Sequence, residues 1–495
     1  MNNAEQRITN DEQRSRRAKE KQMSGVFGVV SQKNSLEDLF YGVDYQSHLG
    51  TQYGGIAVLQ GKRIYRQIHD VSQSQFKSKF CEDYKKLEAR IGIGVISDSD
   101  AQPMFLNTKF GSFALCMTGL IENTKELIKE LHKKDCSFSE TEDGSANTVE
   151  VIAKLISMGD DIVSGIEYMF TKIIGSCSLL LLCNEGIYAA RDRFGYTPLV
   201  IGKRGKDFAI ASETSSFPNT GFEIHKYLLP GEIVLLNENG LKNVVEPKDA
   251  TNQICAFLWI YTGFPASSYE GINVEMVRER CGEFLAKHDK DIEVDLVSGV
   301  PDSGIAHAIG YAMESGKPYR RPLVKYTPGY GRSYTPPIQE IRDRIAKMKL
   351  IPIREVIEGK KIVVCEDSIV RGTQLKNFTV QKLWDNGAKE VHIRPACPPL
   401  MYPCKFCLST RTTYELAARK AIKDIEGQDI DDVSEYLDPT SKKYQKMVEW
   451  IRKDIGATTL RYQTLTDMIK AIGLPREKLC TYCWNGECLA KGNLL

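Results

Sequence analysis

Residues 361–374, KIVVCEDSIVRGTQ, constrain the fold of this chain more than any other stretch. An apolar run, Ile362, Val363 and Val364, leads into two adjacent acids, Glu366 and Asp367. Ser368, the turn Arg371-Gly372-Thr373 and a helical pattern from Gln374 follow. The apolar run reads as a buried parallel strand, whose C-terminal end is where such sheets hold ligands. The first amides of a helix are unpaired and attract phosphate. Gly372 lets the backbone approach closely, and two carboxylates accept hydrogen bonds from vicinal ribose hydroxyls, directly or beside Mg2+. On its own the segment also fits an ordinary strand with an acid-rich end; taken together its parts suit a phosphorylated sugar. No GxxxxGK[ST] is present, which excludes a P-loop.

The chain around this segment has 495 residues, enough for two to four domains. A net charge of +2 gives no reason to expect a nucleic-acid partner. Residues 1–22 are polar, without a signal-peptide core, and the tail 1–23 reads as disordered or propeptide-like. The most apolar run, Ser178–Cys183, is too short to span a bilayer, so the expectation is a cytoplasmic protein without membrane contact. From Gly25–Val30 to about residue 250 short apolar runs alternate with turns, including Gly55–Leu59, Gly92–Ile96, Phe113–Met117, Ser178–Cys183, Gly186–Ala190, Phe208–Ala211 and Glu232–Leu236. Helical patterns interrupt them near Asn123–Lys134 and Thr148–Met158. This texture predicts an α+β stacked-sheet domain over 24–250. Beyond it, helix Val274–His288, strand Val294–Val297, helix Ile305–Ser315, strand Lys361–Cys365, helix Gln374–Asn386 and strand Glu390–Arg394 predict an α/β domain with a parallel sheet over 251–410. A helical segment, 411–495, ends the chain.

Two further stretches suit a diphosphate. Ser298-Gly-Val-Pro-Asp-Ser-Gly304 follows the run VDLV as a strand–turn–helix loop with exposed amides. KYTPGYGRSYTPP, Lys325–Pro337, has the glycines, tyrosines and cations of a mobile lid, with Lys347 and Lys349 after it. A surface loop and solvated helix charges are the plainer readings of these cations. Fourteen cysteines in a cytosolic chain favour metal, cluster or catalytic use over disulfides, although Cys116, Cys177, Cys183 and Cys365 sit in apolar runs that suit burial. The pairs Cys404-Lys-Phe-Cys407 and Cys480-Thr-Tyr-Cys483 permit either a four-thiolate zinc site or a [4Fe–4S] cluster.

From about Ser24 to Cys488 the motifs GVPDSG, the GR-containing lid, KMKL, VVCEDSIVRGT and CPPLMYPC resemble the glutamine phosphoribosylpyrophosphate amidotransferase family in order and spacing. The acidic segment within them resembles the PRPP loop of type I phosphoribosyltransferases. The resemblance implies an Ntn-type glutaminase half followed by a phosphoribosyltransferase half. It also implies conversion of PRPP and ammonia to phosphoribosylamine and pyrophosphate in purine synthesis, with purine nucleotide effectors and a homo-oligomer. It assigns Glu366 and Asp367 to the ribose and its Mg2+, and Ser368, Arg371, Gly372 and Thr373 to the 5'-phosphate. Val300, Pro301, Asp302 and Ser303 fall to the pyrophosphate, and Lys325, Arg332 and Lys349 to phosphate oxygens. It places a structural [4Fe–4S] cluster on Cys255, Cys404, Cys480 and Cys483, with Cys407 and Cys488 outside the set.

The N-terminal half departs from that family. Ser24 stands where the family has its nucleophilic cysteine, behind 23 residues. His48-Leu49-Gly50-Thr51 replaces HRGQ, Gly92–Ser97 replaces the arginine-bearing GHxRYST, and Met117-Thr118-Gly119 replaces HNG. Nucleophile, carboxylate clamp and oxyanion donor are thus all changed, whereas Arg191–Gly195 and Ser212-Glu213-Thr214 match. The acceptor segment also differs: Phe257–Ser268 stands where the family reads FExxYFARPDS. Two readings follow. One is an amidophosphoribosyltransferase-like enzyme that takes free or partner-supplied ammonia, or another amine, without hydrolysing glutamine. The other is a non-catalytic paralogue that binds PRPP or nucleotides and regulates.

Overall fold

The structure is a computed structural model, and it describes residues 24–98, 100–139, 141–142, 145–247, 252–326, 350–407 and 412–487. The tail 1–23, Arg332, Lys347, Lys349 and Cys488 lie outside the described residues.

The N-terminal half stacks two antiparallel sheets. One has seven strands, ordered Glu223–Tyr227, Val200–Arg204, Asp207–Ala211, Ser24–Val30, Ile91–Ser97, Tyr53–Gln60 and Arg63–Asp70. The other has six, ordered Gly240–Val245, Ile233–Asn237, Gly186–Ala190, Ser178–Cys183, Gly111–Thr118 and Met104–Thr108. Residue alternation explains the layering, because successive side chains of a strand point to opposite faces. In SLLLLC, Leu180 and Leu182 join Val26, Val30, Ile93 and Val95 between the sheets. Leu179 and Leu181 point the other way, onto helices Thr148–Ile156 and Ile162–Lys172. Phe27 and Val29 likewise leave the sheet interface to pack under helices Leu36–Asp44 and Phe76–Lys86. A strand buried on both faces carries no polar alternation, and so it reads as a continuous apolar run. The edge strand Arg63–Asp70, RIYRQIHD, was illegible for the opposite reason: it is half-exposed along its length and charged.

The second half is built on a parallel sheet in the order Leu296–Gly299, Lys361–Glu366, Glu390–Pro395, Thr459–Leu460. Helices Val274–Lys287 and Ile305–Ser315 cover one face; Ala417–Glu426 and Lys442–Ile455 cover the other. The first strand forms two residues later than the sequence suggests, so that it runs directly into the Ser298–Gly304 loop. The helix expected over Gln374–Asn386 opens as a π-type turn, Leu375–Val380, before Gln381–Asp385. A two-stranded ribbon, Leu323–Lys325 with Leu350–Pro352, forms the root of the expected lid. Among the described residues no helix is long and apolar enough to cross a membrane.

Candidate functional site

The parallel sheet brings the two phosphate-type loops together. Ser298 and Gly299 pair in register with Val364 and Cys365, so the loop after the first strand lies beside Glu366 and Asp367. The approach is close: a Cβ on Gly304 would stand 2.3 Å from the Cys365 carbonyl oxygen. Ser303 Oγ donates to Glu366 Oε1 at 3.1 Å, and Ser368 Oγ donates to Asp367 Oδ1 at 2.5 Å. Gly372 has φ +78°, with no backbone within contact distance of an added Cβ, so glycine is needed there for conformation and not for space.

Charge is unevenly distributed around this cleft. Burial and the neighbouring Asp367 charge push the Glu366 carboxyl well above its ordinary range, and the two carboxyls share a hydrogen bond. Glu366 as a residue is nonetheless only half-buried. Two of the expected phosphate-binding cations lie among the described residues, and both are paired with protein acids. Lys325 Nζ meets Asp302 Oδ2 at 2.5 Å, and Arg371 meets Glu415 at 2.8 Å. The Val300 amide donates to the Cys365 carbonyl at 3.0 Å, which occupies one of the amides expected to face a diphosphate. Pro301 and Asp302 form the turn beyond it.

Arg278 was missed from the sequence. It lies on the buried face of helix Val274–Lys287, four residues after Val274 and one after Val277, where the stripe calls for an apolar side chain. Its guanidinium donates to the carbonyls of Trp259, Tyr261 and Gly263 at 2.8–2.9 Å. Burial lowers its pKa, and the charge of Asp367 works against that. Arg278 therefore ties the stretch Trp259–Gly263 to helix Val274–Lys287, within electrostatic reach of Asp367. A charged residue on an otherwise apolar helix stripe was the available signal.

Ser24 lies at the start of its strand, at one wall of an inner cavity. Its hydroxyl has neutral partners, Ser97 Oγ at 3.3 Å and Gln102 Nε2 at 3.4 Å. Thr118 Oγ1 donates to the Ser24 carbonyl at 2.7 Å. Leu49 and Ser212 line the same cavity, and among its described lining residues there is no Arg, Lys or His. Val95 points away from it into the sheet interface. Next to the cavity, fully buried Glu213 ties the halves together. It contacts His48 Nε2 at 2.9 Å, and it accepts from Tyr269 Oη at 2.8 Å and the Phe264 amide at 3.3 Å. Burial raises its pKa, but His48 and these hydrogen bonds outweigh that and hold it below the usual value.

Behind the cavity five sulfurs gather. Cys255 pairs by backbone with Cys480. Cys407 is hydrogen-bonded to Cys255, Cys483 to Cys404, and Cys407 and Cys483 each lie within electrostatic reach of Cys255, Cys404 and Cys480. Cys407, expected outside the set, is thus part of the nest, because the Cys404–Cys407 loop folds back on itself: the Cys407 amide donates to Cys404 Sγ at 3.3 Å. The sulfurs touch in pairs, and among the described residues no three potential ligands already converge on a metal position. Cys407 and Cys483 are pushed well above the ordinary thiol range by those sulfur hydrogen bonds, then by burial. Four thiolates in one buried place need cations among them, and four cysteine sulfurs are the donor set that zinc and iron–sulfur groups take.

A stacked-sheet amidotransferase-type domain joined to a parallel sheet with an acidic strand end defines a two-domain glutamine amidotransferase–phosphoribosyltransferase class. A model described as a glutamine amidotransferase domain matches residues 88–219. The chain is 32% identical to the amidophosphoribosyltransferase of Methanocaldococcus jannaschii, over 94% of this chain and 97% of that one. It is 31% identical to the Bacillus subtilis amidophosphoribosyltransferase, over 94% and 92%. Among solved structures it resembles the B. subtilis glutamine PRPP amidotransferase complexed with ADP and GMP, with a TM-score of 0.79 at 29% identity, covering 94% of this chain and 96% of that one. An allosteric regulatory enzyme of purine biosynthesis superposes with a TM-score of 0.80 at 29% identity, over 94% and 95%. This chain belongs to the amidophosphoribosyltransferase family.

Proposed function

We propose that the chain transfers an amino group from free or partner-supplied ammonia to PRPP, releasing pyrophosphate and phosphoribosylamine, as an amidophosphoribosyltransferase of purine synthesis. The observation that carries this reading is the junction of the two loops, where Ser303 Oγ hydrogen-bonds Glu366 and sets the diphosphate loop against the acid pair. In this reading Glu366 and Asp367 hold the ribose hydroxyls. Ser368, Arg371, Gly372 and Thr373 hold the 5'-phosphate, and Val300–Ser303 with Lys325, Arg332 and Lys349 hold the diphosphate. Mg2+ prefers oxygen ligands and keeps several waters, so Glu366 and Asp367 would hold it together with PRPP, and it would supply neutralising charge to the pyrophosphate. Carboxylates near the anomeric carbon favour the positive charge that develops there as the bond to pyrophosphate breaks. Pyrophosphate release from Mg–PRPP, stimulated by ammonium, is the test.

The glutaminase half is read as a folded scaffold without its chemistry. Neutral partners at Ser24 Oγ and a cavity without a lining cation support this, since an amide nucleophile needs a base and the glutamine carboxylate needs a counter-charge. Glutamate release from glutamine is expected to be absent with or without PRPP. Ser24→Cys is expected not to restore it, because the clamp is missing too. Measurable glutamate from the unmodified protein would contradict this.

We assign a structural [4Fe–4S] cluster to Cys255, Cys404, Cys480 and Cys483. It would tie the start of the second half to the C-terminal segment through the paired backbone at 254–255 and 479–480. Anaerobically prepared protein is expected to hold about four iron and four sulfide per chain. Changing any of the four cysteines to Ala is expected to remove the iron and most of the soluble protein. Stoichiometric zinc without iron would contradict the assignment.

The second reading, a PRPP- or nucleotide-binding regulator, draws on the pairing of Lys325 with Asp302 and Arg371 with Glu415, which occupies two of the phosphate-type cations with protein acids. Tight Mg–PRPP binding without turnover by any amine would favour it.

A further inference from the structure

The Cys404–Cys407 loop supplies one sulfur more than a four-iron cluster uses, and its surroundings give that sulfur a partner. The Cys407 side chain is hydrogen-bonded to Cys255 and also reaches the Tyr196 carbonyl oxygen of the N-terminal half at 3.7 Å. Phe406 stacks on the Tyr196 ring at 4.0 Å with 8° between the planes, which fixes the loop in place. Of the five gathered cysteines, Cys255 and Cys407 are the two that line the Ser24 cavity. That cavity offers ≈ 50 Å³. This is room for one or a few water-sized molecules, too little for a tripeptide disulfide and enough for hydrogen peroxide.

We propose that Cys255 and Cys407 form a disulfide when no metal cluster is bound, with hydrogen peroxide reaching them through the Ser24 cavity. Cys255 sulfur attacks one peroxide oxygen. The O–O bond breaks, giving a sulfenic acid, and the departing hydroxide takes the thiol proton to become water. Cys407 sulfur then displaces the sulfenic hydroxyl: the S–S bond forms, the S–O bond breaks and a second water leaves. Two thiols are oxidised by two electrons in all, and one peroxide is reduced to two waters.

The link would hold the 254–255 strand against the Cys404–Cys407 loop and keep the nest gathered while it is empty. It would also spare Cys255 from irreversible oxidation to the sulfinic acid, and a thiol reductant would return the ligand. The inference rests on the cluster reading only for its timing, since Cys255 cannot bind iron and Cys407 at once.

The test uses the full chain. Iron and sulfide are measured first, metal is then stripped anaerobically with a chelator, and stoichiometric hydrogen peroxide is added. Remaining thiols are alkylated and peptides are mapped without reduction. The expected result is a dominant linked pair joining the Cys255 and Cys407 peptides, lighter by two hydrogens than the separate peptides and abolished by dithiothreitol. In Cys407→Ser the Cys255 peptide is expected to gain oxygen atoms instead. Dominant linkage of Cys404 to Cys483, the other touching pair, would overturn the proposal, as would oxidation of Cys255 in the unmodified chain without any link. A chain that lacks iron yet forms the 255–407 link keeps this inference and loses the cluster. A chain that holds iron but forms no link after stripping does the reverse.

Discussion

Replacing Glu366 by Gln and Asp367 by Asn is expected to weaken Mg–PRPP binding by about tenfold or more for each acid. Each charge-assisted hydrogen bond lost costs roughly 1.5–3 kcal/mol, and about 1.4 kcal/mol is a factor of ten. The substitutions keep shape and remove charge, so the loss reads acceptor strength and not packing. A pH dependence follows from the same pair. Burial and the Asp367 charge raise the Glu366 pKa, so the empty site holds a proton that binding of ribose hydroxyls and Mg2+ displaces. Binding is therefore expected to release a proton and to tighten as pH rises through that raised pKa. Stability has the opposite sign. The folded state keeps the Glu366 proton that an unfolded chain gives up near pH 4.5, so the empty protein loses stability as pH climbs from there toward the folded value. Glu366→Gln removes that penalty and is expected to raise the melting temperature of the ligand-free protein at neutral pH while lowering affinity. Calorimetric titration with Mg–PRPP, in two buffers of different ionisation enthalpy, checks affinity and proton release together. Unchanged affinity in the double variant would mean that the acid pair is only a strand end.

The largest effect on folding is expected at Asp289. Its side chain is 1% exposed and pairs with Arg394, whose side chain is fully buried on the strand Glu390–Pro395. Tyr311 Oη, from helix Ile305–Ser315, donates to the same carboxylate at 2.8 Å. Arg461 reaches its other oxygen at 2.8 Å. One carboxylate thus joins the end of helix Val274–Lys287, a second helix and the middle of the sheet. Asp289→Ala leaves the Arg394 charge buried without a counter-ion, a change that costs about 3–5 kcal/mol. That is a large share of the about 5–15 kcal/mol that separates folded from unfolded states. A lower urea midpoint and a loss of soluble protein are expected, with a milder effect for Asp289→Asn, which still accepts from Tyr311. A shift in stability below about 1 kcal/mol would show that Arg394 finds another partner.

The contrast between these two sites says what was legible in the sequence. Glu366 and Asp367 could be found because a strand end, an acid pair and a glycine turn sit consecutively, and local order carries over directly into the site. Asp289 and Arg394 are 105 residues apart and meet only when helix and sheet pack; nothing local marks either one. Glu213 lay within a recognised motif, yet its contacts with His48 and with Phe264 and Tyr269 come from two separate segments and needed the folded chain. The stacked sheets were legible where strands are buried on both faces, as in Ser178–Cys183, and illegible at the charged edge Arg63–Asp70. The Cys404–Cys407 pair was visible by spacing, but its fold back toward Cys255 was not, because loop direction depends on the stacking of Phe406 on Tyr196.

The donor site is expected to turn over PRPP while the glutaminase half does not supply the nitrogen. The most direct measurement follows pyrophosphate release by the anaerobically purified full chain with Mg–PRPP, with ammonium and glutamine offered in parallel at equal nitrogen concentration. Release is expected to depend on ammonium, to be lost in the Glu366→Gln, Asp367→Asn variant and to stay at the amine-free level with glutamine. Release driven by glutamine, or none with any amine despite tight Mg–PRPP binding, would contradict it.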